Sequence, residues 1–234
     1  MKLTLGTTYY NSPDELKLFI FNHIEHVDEL IIVDDGSQIY PAIEFIESNP
    51  KLKLYVVEKD YGFNSHGCRN LIMKESSNDW VILLDIDRKF IDPELNINAI
   101  RCTKLKSDVL YRFVAMGYKH NVIQIDTIHE SVNDYLVNKN HFFKAGGYDE
   151  ELIGYRTGDR EYFEQLKHFG KEHTMHDVEI LLLRPPTQML KNNFYKSNND
   201  KINVPKNIQK TIYKRISSPE PNKPILTFEW KKIF

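Results

Sequence analysis

Cysteine is nearly missing from this chain, with Cys68 and Cys102 the only two in 234 residues. The pair has no metal-ligand spacing, and a reduced state without a nucleophilic role is expected of both. Long apolar runs are missing too. None approaches the ~20 residues that cross a bilayer, and Met1-Lys2-Leu3-Thr4 leads into a strand-like segment instead of a signal peptide. A cytoplasmic protein with no transmembrane segment is the expectation. A basic excess is also lacking: the formal net charge of -2 argues against a broad nucleic-acid surface. The loop after the first strand, Thr7 to Asn11, has no glycine beyond Gly6. That disfavours a dinucleotide-binding dehydrogenase, which needs a glycine fingerprint there. No internal repeat is present.

What remains is an ordinary globular composition, 41% hydrophobic and 27% charged, in a chain long enough for one α/β domain with an appendage. Aromatics at 12% suit a core as well as they suit sugar stacking. Leu3 to Thr8 reads as a strand, and Ser12-Pro13-Asp14-Glu15 as a helix start with a capping serine. Leu16, Phe19, Ile20, Ile24 and Val27 then fall on one helical face. Leu30 to Val33 and Leu52 to Val57 read as buried strands, with a polar turn at Asp34-Asp35-Gly36-Ser37 and a short helix from Ala42 to Glu47 between them. This alternation predicts a doubly wound sheet with parallel strands. A polar loop from Gly62 leads into a helix ending near Lys74.

Trp80-Val81-Ile82-Leu83-Leu84-Asp85-Ile86-Asp87 is the most informative stretch. A buried-strand pattern delivers two carboxylates as its apolar run stops, and such charges call for a cation or polar ligand. Thr8, Asp35 and Asp85 all sit at strand carboxyl ends, where open α/β sheets bind ligands. Beyond Asp87 the pattern predicts a helix from Pro93, strands at Val109–Val114, Val122–Ile125 and Asp134–Val137, and a short helix from His141 into a glycine stop. A helix follows Gly158, and a last strand spans Val178 to Leu183. Residues 1–189 are expected to form the domain, and residues 190–234 an extended or partly disordered Lys- and Asn-rich tail, with Ile225 to Trp230 suited to docking back. The Lys-rich tail is compatible with an anionic membrane surface, a solvated tail being the simpler account.

Six segments, in order, carry a resemblance. Thr8-Tyr9-Tyr10-Asn11, Val33-Asp34-Asp35-Gly36-Ser37, Cys68-Arg69-Asn70, Asp85-Ile86-Asp87, Gly146-Gly147-Tyr148-Asp149-Glu150 and Gly158-Asp159-Arg160-Glu161 resemble the motifs of family 2-type glycosyltransferases with the GT-A fold. The resemblance spans about residues 1 to 185. It implies a single Rossmann-like mixed sheet flanked by helices, and a metal-dependent, inverting transfer of a sugar from a UDP- or GDP-linked donor to a glycan or other hydroxyl acceptor.

Carried over by position, the resemblance implies that Thr8, Tyr10, Asp35 and Arg69 hold the nucleotide. Asp35 can accept from a base N–H, and Arg69 can donate to a carbonyl or phosphate. It assigns Asp87 as the direct ligand of Mn²⁺ or Mg²⁺, Asp85 to ribose or to the metal through water, and Asp159 as general base. Taken alone, each residue has a plainer reading: Asp34-Asp35-Gly36 as a turn, Arg69 as a salt-bridged helix residue, Asp85 and Asp87 as turn caps, Asp159 as a helix N-cap. His173 or His176 stands open as a further metal ligand, or as a surface histidine. The family's glutamate before the base is replaced by Gly158, leaving Glu161 or Asp149 as substitutes. Gly158 also keeps a second class open, a non-catalytic nucleotide- or carbohydrate-binding module. A sugar-phosphate nucleotidyltransferase is disfavoured, because its glycine-rich, arginine-containing first loop is missing.

Overall fold

The structure is a computed structural model that describes residues 1–62, 64–119, 122–153, 158–183, 206–217 and 225–234, with backbone only for residues 117–119, 122–132, 158–160, 208, 211 and 215–217. The first strands are β1 (Leu3–Tyr9), β2 (Glu29–Asp34), β3 (Leu52–Val57), β4 (Trp80–Leu83) and β5 (Arg88–Phe90). They are followed by β6 (Val109–Lys119), β7 (Val122–Asn138), β8 (Lys171–Leu182) and β9 (Trp230–Lys232). The helices are α1 (Pro13–His23), α2 (Ser65–Glu75), α3 (Pro93–Cys102), α4 (Lys139–Lys144), α5 (Gly158–Phe169) and α6 (Lys206–Ser217).

One mixed sheet runs in the order β5-β8-β6-β7-β4-β1-β2-β3-β9. β4, β1, β2 and β3 are mutually parallel, as the strand–helix alternation of the first half predicts. The second half is not: β7 runs antiparallel to β4 and to β6, while β8 is parallel to β6. The hairpin β6–β7 needs no crossover helix, so this half escapes the parallel rule.

The central strands are buried on both faces, and their side chains alternate between two core layers. Leu30 and Ile32 face one side, with Leu16 and Phe19 of α1 and Ile97 and Ile100 of α3. Ile31 and Val33 face the other, with Leu71 and Ile72 of α2 and Tyr162 and Phe163 of α5. Both free cysteines stand apart, Cys68 buried and Cys102 exposed.

Several local expectations are corrected. Ser12 makes no side-chain cap to α1, whereas Asn64 caps α2 by accepting from Gly67 N–H at 3.2 Å. Ala42–Glu44 is a single 3₁₀ turn, ending before Glu47. The two strands predicted around residues 122–125 and 134–137 are one strand, β7, whose register slips against β6 absorb the break in pattern. β5 was unpredicted, being only three residues long and half-polar. Within the predicted tail, α6 is helical and lies against α5, and β9 adds antiparallel to the β3 edge. The rest of that tail, residues 190–205 and 218–224, falls outside the described residues. Among the described residues no helix is long and apolar enough to cross a membrane.

The start of the final segment is held by one carboxylate. Glu150, buried at 6% exposure, accepts from Leu226 N–H at 2.7 Å, Thr227 N–H at 2.8 Å, Thr227 Oγ1–H at 2.8 Å and Asn70 Nδ2–H at 2.8 Å. Phe228 then enters the core beside α2, and Trp230 packs edge-on against Tyr55 at 5.7 Å. These contacts tie the strap 225–234 to α2 and to the β3 edge.

Candidate functional site at the carboxyl ends of the central strands

β1, β2 and β4 are parallel neighbours, so their carboxyl ends share one rim of the sheet. At the end of β4 the chain peels off between two fixed points. Leu84 N–H donates to Gly6 O of β1 at 3.1 Å, and Asp85 N–H to the Asp134 carboxylate of β7 at 2.7 Å. The turn closes with Arg88 N–H on Asp85 O at 2.9 Å and enters β5, where Leu183 N–H donates to Asp87 O at 2.7 Å. Asp85 and Asp87 therefore stand on a tight turn braced on both sides, two residues apart.

The two carboxylates have different surroundings. Asp85 Oδ1 accepts from Arg69 Nη2 at 2.7 Å and Oδ2 from Asn133 Nδ2 at 3.1 Å. Both its oxygens are engaged, one by α2 and one by β7. Asp87 has the looser Arg88 Nε at 3.7 Å as its ion-pair partner among the described residues, and its side chain is 19% exposed. Burial and the charge of Asp85 raise its pKa to about 6, against the opposing pull of Arg88. A carboxylate whose charge is disfavoured in this way gains from an added cation. The oxygen donors suit a hard divalent ion, and Asp87 is the less committed of the two carboxylates. No third His, Cys, Asp or Glu joins them among the described residues.

His173 and His176 lie on β8, not ahead of it, and both are exposed. At ~3.3 Å per residue along a strand, His176 stands roughly 20 Å from the Leu183 end that touches Asp87, and His173 farther. Neither joins the turn.

The structure brings Arg69 and Asp85 together directly. Arg69 is buried, its guanidinium 5.4 Å from the Tyr148 ring and its Nη1 donating to Tyr148 Oη at 3.3 Å. Tyr148 is fixed in turn by Asn70, whose Oδ1 accepts Tyr148 N–H at 2.8 Å and whose Nδ2 donates to Tyr148 O at 2.9 Å. Gly147 is required beside it: φ is +66°, and a Cβ would sit 2.7 Å from Asn70 Oδ1. Tyr148 also stacks on Tyr162 of α5 at 4.2 Å and bonds Tyr135 Oη of β7 at 2.9 Å. The aromatic cluster thus sets α5 against the same rim.

Thr8 is half-buried at the end of β1. Tyr10 donates its hydroxyl to Asp60 Oδ2 at 2.8 Å, and burial together with that carboxylate pushes its pKa up to about 12. Asp35 is 1% exposed, and its Oδ2 accepts Asn64 N–H at 2.8 Å, holding the loop before α2. Asp159 is in the first turn of α5, but its side chain lies outside the described residues. Asp149 is buried and accepts Glu151 N–H at 3.0 Å, a loop-ordering contact. Sequence reasoning missed Asn133 and Asp134. Two polar residues ahead of the apolar Tyr135-Leu136-Val137 run read in sequence as a strand start, and nothing in them points to the β4 turn.

No family model matches the chain, and no curated protein matches it in sequence. Solved structures do match. TarS of S. aureus superposes over 78% of this chain at 15% identity and a TM-score of 0.60. The fold is GT-A. GalNAc-T7, solved with UDP, GalNAc and Mn²⁺, matches over 80% at 12% identity and a TM-score of 0.60. A mannosyltransferase from Pyrobaculum calidifontis, solved with GDP-Man and Mn²⁺, matches over 80% at 14% identity and a TM-score of 0.58. The chain spans 36%, 44% and 58% of the lengths of these three, so the likeness concerns their shared GT-A portion.

Proposed function

We propose that the protein is a metal-dependent glycosyltransferase that moves a sugar from a UDP- or GDP-linked donor to an acceptor hydroxyl with inversion. The observation that carries this reading is the braced Asp85-Ile86-Asp87 turn, joined to buried Arg69, on the ligand-binding rim of a GT-A fold. That TarS has been solved with UDP and with UDP-GlcNAc, and two other neighbours with Mn²⁺, supports a nucleotide-sugar donor and a divalent ion here.

Asp87, with Asp85 beside it, would hold Mn²⁺ or Mg²⁺, which supplies positive charge against the departing diphosphate. Arg69 holds Asp85 in place through their ion pair. Thr8, Tyr10 and Asp35 line the nucleotide end of the same rim. Asp159 takes the proton of the acceptor hydroxyl as that oxygen attacks the anomeric carbon, and the bond to the diphosphate breaks with its electron pair leaving on oxygen. The acceptor is a glycan or another hydroxyl compound.

The test is a panel of nucleotide-sugar donors screened with Mn²⁺ for thermal stabilisation and then for transfer. Asp159→Asn is expected to keep donor binding and lose transfer. Transfer by Asp159→Asn at the unsubstituted rate would remove the base assignment. A second reading, a non-catalytic binding module, is favoured by Gly158 alone, and donor binding without hydrolysis or transfer across the panel would select it.

A further inference from the structure

Arg88 stands between two carboxylates and is committed to neither. Its Nε is buried and makes no hydrogen bond among the described residues, yet it lies 3.7 Å from Asp87 Oδ1 and 3.7 Å from Asp134 Oδ2. Asp134 is wholly buried, and its other oxygen already braces Asp85 N–H. A buried guanidinium N–H without a hydrogen bond is costly, so a nearly equal placement between two acids calls for an explanation. The backbone of Arg88 is anchored by its bond to Asp85 O and by pairing with Leu182, so the side chain moves by torsion alone. Closing from 3.7 Å to charge-assisted bonding distance on either acid takes about 1 Å.

We propose that Arg88 is a built-in counter-ion exchanged between Asp87 and Asp134: it screens Asp87 when no cation is bound and closes on Asp134 when one is. A divalent ion on Asp87 repels a guanidinium held so near, and Asp134 receives it without leaving either charge unpaired. Asp134 is then a positioning residue for the cation site, acting through Arg88. This inference rests on the metal reading of Asp87 given above.

The test is Mn²⁺ titration of the full chain with saturating UDP or GDP, followed by calorimetry and by the free-Mn²⁺ electron paramagnetic resonance signal. Asp134→Asn keeps an oxygen for Asp85 N–H but loses the charge that holds Arg88 away. It is expected to weaken Mn²⁺ binding by about tenfold. Arg88→Met should bind Mn²⁺ at least as tightly as the unsubstituted protein, and the double variant should return to within about threefold of it. A merely structural Asp134 leaves the double variant as weak as Asp134→Asn, and that result overturns the proposal. So does unchanged Mn²⁺ affinity in Asp134→Asn, or lost affinity in Arg88→Met. If the unsubstituted protein binds no Mn²⁺ with either nucleotide, the metal reading itself falls and takes the exchange with it.

Discussion

Replacing Glu150 by alanine tests how the C-terminal strap is held. The carboxylate is buried and receives four hydrogen bonds, three of them from Leu226 and Thr227. Hydrogen bonds to a charged acceptor contribute about 1.5–3 kcal/mol each, but not all of that is lost. Thr227 is exposed, so its two donors regain water, and Asn70 Nδ2 retains Tyr148 O. The half-buried Leu226 N–H and the loosened Phe228 remain, and relief of carboxylate burial offsets part of their cost. The net is roughly 2–4 kcal/mol, which for a domain of this size lowers Tm by about 5–12 °C. Glu150→Gln keeps one oxygen acceptor and should lose only about 1 kcal/mol. Equilibrium urea unfolding followed by circular dichroism measures both, with limited proteolysis reporting strap release. A Glu150→Ala midpoint within about 0.5 kcal/mol of the unsubstituted protein would refute this account of the strap.

The raised pKa of Asp87 has a consequence for stability. With its native pKa near 6 and an unfolded value of 3.8, the native state holds the proton more tightly. Its contribution therefore falls as pH rises from about 4 to 6, and Asp87→Asn should stabilise the metal-free protein at pH 7 by about 1–3 kcal/mol, read by chemical denaturation. His23 has the opposite sign. Buried against Phe19 and Phe90, its pKa is lowered from 6.5 to about 4, so the stability it carries above pH 6.5 is lost as pH falls towards 4. Denaturation series from pH 7 to 4 should show a flatter acid limb for His23→Leu and a steeper one for Asp87→Asn. Gly147→Ala should cost about 1–3 kcal/mol, from the positive φ and the clash with Asn70, and should weaken nucleotide binding through displaced Tyr148.

The first half was legible because its signals are local. Fully apolar runs such as Leu30-Ile31-Ile32-Val33 require a strand covered on both faces, and Asp85 and Asp87 stand where such a run stops. The second half was less legible because its order depends on pairing between distant segments. β7 slips register against β6, and β5 exists only because Arg88–Phe90 finds Leu182–Ile180 across the chain. The partners of the acids show the same divide. Nothing near Asp134 in sequence announces that it braces a turn 49 residues away, and Glu150 gives no sign that it holds residues 226 and 227. Side-chain-to-backbone contacts across the fold have no periodicity to read.

The central claim is that the turn after β4 binds a nucleoside diphosphate through a divalent ion on Asp87. Calorimetric titration of UDP and GDP, each with and without Mn²⁺, into the unsubstituted protein and Asp87→Ala tests it most directly. Binding of one nucleotide that strengthens at least tenfold with Mn²⁺, and loses that gain in Asp87→Ala, is the predicted result. Equal affinity with and without the metal, or a metal-dependent gain that survives in Asp87→Ala, would contradict it.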